Sequence, residues 1–169
     1  KYLPDIVDEI MPSVVGISSL FEVEYRVSSF NPFWGFQTEP QIRQGVGTGT
    51  GIVMTEDGYI VTNAHVIYME NTDEYRAGEA KEVSVLFNNE EEYEAKIVAF
   101  DVETDLAVLK IDATGFTPAT FGNSDELRVG ELVIAVGNPL GFELFGTVTS
   151  GIVSARDREI LINDKHMTL

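Results

Sequence analysis

The sequence predicts an all-β protein, an antiparallel barrel or sandwich. Short runs rich in β-branched residues recur from residue 13 onward. Turn-forming Gly, Asn and Asp separate them, as in "EDG" (56–58) and "NNE" (88–90). No helical periodicity alternates with the runs, and a parallel sheet would need helical crossovers.

The chain opens on its one helical pattern. In "LPDIVDEIM" (3–11), Pro4 suits the first turn and Asp5 the positive end of the helix dipole. Ile6, Val7 and Ile10 make one apolar stripe, and Pro12 ends the helix. The strands expected next are 13–27, 49–55, 59–62, 82–87, 92–100, 106–111, 131–137, 146–157 and 159–163. The segment "SSFNPFWGFQTEPQ" (28–41) reads as a loop. Its Phe30, Phe33, Trp34 and Phe36 would form either a local mini-core or a contact surface for a partner or substrate. Residues 115–130 read as a connector between two β units.

Composition narrows the function classes. Twenty-eight acidic residues against eleven basic ones give a net charge of −17, which repels phosphate backbones and argues against nucleic-acid binding. The charge is read as solubility. No apolar run reaches the length of a membrane-spanning helix, and the opening residues lack the basic start and apolar stretch of a signal peptide. Cysteine is absent, so there is neither a disulfide framework nor thiol chemistry.

Few residues carry chemistry. "GVGTGTG" (45–51) places glycine at every second position inside a β run. It fits neither the dinucleotide fingerprint nor a phosphate-binding loop. It leaves one strand face bare, either for a barrel bend or for the approach of another backbone or a substrate. His65, in "YIVTNAHVI" (59–67), is one of two histidines; the other is His166. His65 is either a buried structural histidine or a base. No metal-ligand spacing accompanies either histidine, so neither a metal nor another cofactor is expected. Asp105, entering the strand of "VETDLAVLKI" (102–111), caps a turn or accepts the Nδ1 proton of an imidazole. Asp101, at a strand exit, reads as solvated.

Five blocks together resemble the protease domain of the HtrA/Deg family of trypsin-like serine proteases. They are "PSVVGI" (12–17), "GTGTGIVMTEDGYIVTNAHVI" (47–67), "DVETDLAVLKID" (101–112), "FGNSDELRVGELVIAVGNPLG" (121–141) and "TVTSGIVSARDR" (147–158). The resemblance implies a chymotrypsin-like double antiparallel β-barrel. Residues 1–12 would be the helical segment, 13–118 the first barrel and 119–169 the start of a second, incomplete barrel. It implies a Ser-His-Asp triad with His65 as general base and Asp105 as its orienting carboxylate. Their separation of 40 positions is expected to be stretched by the polar insert at 69–82.

The family's Gly-Asn-Ser-Gly-Gly motif does not occur in these residues, so no nucleophile is assigned within them. "GNS" at 122–124 continues as Asp125-Glu126, and Ser124 reads as a turn or cap residue; Ser150 and Ser154 are expected on a strand. The attacking serine is expected downstream. The alternative is an inactive fragment or pseudoprotease acting as a peptide-binding, chaperone-like module. The resemblance further implies unfolded or damaged proteins and peptides as substrates and a homotrimer with Tyr2 near the interface. It also implies a regulatory loop at 28–41, a carboxyl-terminal PDZ domain and an extracytoplasmic location, either periplasmic or membrane-anchored.

Overall fold

The computed structural model describes residues 2–137, 146–156, 159–162 and 165–168, the last two stretches as backbone only. It divides into two compact units, Lys1–Ala119 with Gly137–Thr147, and Thr120–Val136 with Val148–Leu169.

The first unit begins with α1 (Leu3–Ile10) and a 3-10 turn (Met11–Ser13). Pro4 lies in the first turn, and the Ile6, Val7 and Ile10 stripe is half-buried. The strands follow: β1 (Val14–Asn31), β2 (Gly35–Val53), β3 (Tyr59–Thr62), β4 (Tyr68–Met69), β5 (Tyr75–Arg76), β6 (Gly78–Glu79), β7 (Glu82–Leu86), β8 (Glu92–Asp101) and β9 (Leu106–Ile111). Six of them close an antiparallel barrel in the order β1-β2-β3-β9-β8-β7, with β7 returning to β1. Closure removes free sheet edges from this ring.

Alternation along β1 turns Val15, Ile17, Ser19, Phe21 and Val23 inward. Val15 and Ile17 join Val53, Ile60, Val83, Val85, Leu109 and Ile111 from the other strands in one core cluster. The period-2 glycines of β2 face the same interior. A Cβ on Gly49 would stand 2.5 Å from Val66 Cγ2, and one on Gly51 2.7 Å from Ile60 Cγ2 and 2.9 Å from Ile17 Cδ1. The bare strand face therefore receives core side chains from within the barrel.

Both expected tight turns are hairpins. Between β2 and β3, Gly58 takes φ +95°, and a Cβ there would meet Ile111 at 2.7 Å. Between β7 and β8, Glu90 takes φ +68° and Asn89 Oδ1 accepts Glu91 N at 3.1 Å.

The segment expected as a loop is strand instead. β1 and β2 pair without interruption from Val14↔Ile52 to Asn31↔Gly35, leaving Pro32, Phe33 and Trp34 as the turn. Asn31 Oδ1 accepts Phe33 N at 2.9 Å and its backbone carbonyl accepts Trp34 N at 3.3 Å, which shapes the bend. No mini-core forms. Phe30 and Phe36 touch edge to face at 5.2 Å between centroids, but all four aromatic residues stay exposed, Phe33 at 89%.

In the second unit Ser124–Glu126 form a 3-10 turn, and Asn123 Oδ1 accepts Asp125 N at 3.1 Å. β10 (Leu132–Gly137) pairs with β11 (Thr147–Ile152), and β12 (Glu159–Ile162) with β13 (Lys165–Thr168). The described residues here make these two strand pairs and no second barrel. Ser150 lies on β11, whereas Ser154 lies beyond its end at Ile152, past Val153, whose N bonds the Glu131 carbonyl at 2.9 Å.

Candidate active site

The local sequence around His65 changes period. β3 ends at Thr62, whose Oγ1 donates to the Thr50 carbonyl at 2.7 Å. A single helical turn, α2 (Ala64–Ile67), follows. Ala64, Val66 and Ile67 are buried, and their anchorage leaves His65 on the outer side with its side chain 71% exposed. This turn falls where sequence reasoning expected only the end of a strand. Four residues are too few for helical periodicity to register.

Asp105 arrives from the β8–β9 turn. Asp101 is not simply solvated. Its carboxylate accepts Thr104 Oγ1 at 2.7 Å, Thr104 N at 3.2 Å and Glu103 N at 3.3 Å, which curls the turn. Asp105 then takes φ +54°, a left-handed conformation that costs a non-glycine residue roughly 1–2 kcal/mol and that aspartate tolerates better than most.

Pairing of β3 with β9, ending at Thr62↔Ala107, brings the two segments side by side. Asp105 Oδ2 lies 2.7 Å from His65 Nδ1, and Oδ1 accepts the His65 backbone N–H at 2.9 Å. The Asp105 backbone carbonyl accepts Ala64 N at 3.1 Å and Asn63 Nδ2 at 3.0 Å. An ionised carboxylate can only accept, so a neutral imidazole paired with one carries its proton on Nδ1 and keeps its lone pair on Nε2. Chemically, this is an imidazole held in the tautomer that can take a proton.

Sequence reading placed both His65 and Asp105 here but missed Asn63 and the turn-forming work of Asp101. Ser124 belongs to the 3-10 turn of the second unit, where its carbonyl accepts Leu127 N at 3.2 Å. His166 lies on β13, where side chains are outside the described residues.

The model of the trypsin-like peptidase domain matches residues 49–168. A Chlamydia trachomatis serovar D protein named "Probable periplasmic serine endoprotease DegP-like" is 43% identical over 78% of this chain. The chain belongs to the HtrA/Deg family of trypsin-like serine proteases. A Halomonas elongata relative of the same name is 36% identical over 94% of the chain. Among solved structures, the HtrA-type protease AlgW with a decapeptide shares 31% identity at a TM-score of 0.77, covering 99% of this chain and 49% of that one. This HtrA-family chain spans 25% of the Chlamydia relative and 36% of the Halomonas relative.

Proposed function

We propose that this chain is the histidine–aspartate half of a serine endopeptidase site, with His65 the general base and Asp105 its orienting carboxylate. The observation that carries the reading is the bond from His65 Nδ1 to Asp105 Oδ2 at 2.7 Å. The attacking serine comes from sequence other than these 169 residues. His65 Nε2 takes the serine proton as its oxygen attacks a peptide carbonyl, and the imidazolium is stabilised by Asp105. His65 then protonates the leaving amine, and a water activated the same way releases the acyl group.

The substrates are extended segments of unfolded or damaged protein, handled outside the cytoplasm. Support comes from relatives named periplasmic endoproteases and from structural neighbours that hold a decapeptide or a tripeptide. Trimer formation with Tyr2 at the interface, a regulatory hairpin at 28–41, and a PDZ domain elsewhere in the protein complete the proposal. Tyr2 is 82% exposed, which leaves its ring available for such a contact.

The test is labelling of the intact protein with a fluorophosphonate serine probe, read by mass. One adduct, lost in the His65→Ala variant together with cleavage of unfolded casein, is expected. An intact protein that takes no adduct and cleaves nothing, yet still binds peptide, would replace this reading with that of a binding module.

A further inference from the structure

We propose that Asn63 is a positioning residue for the His65–Asp105 pair, holding Asp105 in its left-handed backbone conformation by binding the Asp105 carbonyl. The inference deepens the proposed function and rests on it.

Asn63 stands at the N-cap of α2 with extended backbone angles, φ −82° and ψ 144°. An asparagine there ordinarily turns its side-chain oxygen onto the first N–H groups of the helix. Asn63 makes no such bond. Its Nδ2 donates instead to the Asp105 carbonyl, 42 positions away, at 3.0 Å. Ala64 N takes the other lone pair of the same oxygen at 3.1 Å.

Residues 63–65 thus grip Asp105 at its carbonyl oxygen and at both carboxylate oxygens. The two grips are coupled through one torsion. At φ +54° the carbonyl and the side chain both face residues 63–65, and because both hang from one Cα, a return to the extended region would swing them away together. The β8–β9 turn therefore has a side-chain donor, beside Ala64 N, that fixes the carbonyl while the carboxylate serves the imidazole. Asparagine supplies an N–H there that an aspartate, an equally good helix cap, lacks. Asn63 is exposed, so water can replace its bond at small cost to stability. What water cannot replace is the direction in which Asp105 is held.

The test uses the intact protein labelled with 15N-histidine, with His65→Gln identifying the His65 ring signals. The wild type is expected to show one neutral tautomer with a resolved, downfield Nδ1–H. In Asn63→Ala that resonance is expected to move upfield or broaden, and the tautomers to mix. The kcat for peptide cleavage should fall about tenfold with KM little changed, and the melting temperature should hold. Asn63→Ser is the second variant: a good helix cap whose hydroxyl stops one bond short of Nδ2, expected to behave as Asn63→Ala does. A folded variant of either kind that keeps the wild-type resonance and kcat overturns the proposal. A wild-type spectrum without the downfield Nδ1–H overturns the acid–base pair itself, and the two failures are separable.

Discussion

Asp105 receives His65 twice, through the ring Nδ1 at 2.7 Å and through the backbone N–H at 2.9 Å, so both of its carboxylate oxygens serve one residue. Replacing it by asparagine puts an NH2 group where one of those oxygens accepts. If the amide presents that group to the ring, His65 must adopt the other tautomer. In the intact protein Asp105→Asn is expected to lower kcat roughly 10,000-fold with KM nearly unchanged. Steady-state cleavage of a fluorogenic peptide measures this. A loss below about tenfold would remove Asp105 from the acid–base role.

The glycines of β2 are a packing device. Gly51→Ala forces a methyl to within 2.7 Å of Ile60 and 2.9 Å of Ile17, two fully buried side chains. Urea unfolding should show a loss of about 1–3 kcal/mol. Gly122→Ala, with nothing within 4 Å of the added Cβ, is the control and should stay within about 0.5 kcal/mol. Equal effects at the two sites would contradict the inward orientation of β2.

Ser19 is fully buried, and its hydroxyl makes no hydrogen bond to any of the described residues. Removing an unpaired buried hydroxyl relieves its desolvation. Ser19→Ala should therefore be neutral or stabilising by up to about 1 kcal/mol. A melting curve shifted downward by several degrees would mean that the oxygen is bonded after all.

Arg128 Nε lies 2.6 Å from Glu131 Oε1, and this guanidinium holds the Glu131 carboxyl below its ordinary range. A lowered folded pKa contributes stability above the unfolded value, and that contribution is lost as pH falls through the folded one. The pair is exposed, so the effect on stability is small. NMR titration should show the Glu131 midpoint rising toward the ordinary range in Arg128→Ala. An unchanged midpoint would deny the ion pair in solution.

Much of this was legible because it obeys local rules. Alternation along β1 and β9 and the EDG and NNE turns are each determined within a few residues. His65 and Asp105 came into view together only through the family resemblance, since a separation of 40 positions erases any local signal. The hairpin arms at 28–41 were misread because four aromatic residues and two prolines look like a loop. Pairing across Phe30↔Phe36 and Arg26↔Pro40 continued the strands regardless. The turn α2 was too short to declare itself. Asn63 was invisible as a positioning residue because its partner is a main-chain oxygen, which every residue possesses.

The meeting of β3 and β9 has a consequence for folding accuracy. Only Tyr59↔Lys110 through Thr62↔Ala107 align there. Sliding β3 by two residues would keep every side chain on its proper side but would set Thr62 where Ile60 packs, so burial resists that error too. It would also carry the imidazole about 7 Å past its carboxylate. The grip of residues 63–65 on Asp105 therefore acts as a polar latch, adding to hydrophobic packing a second penalty against a misthreaded barrel.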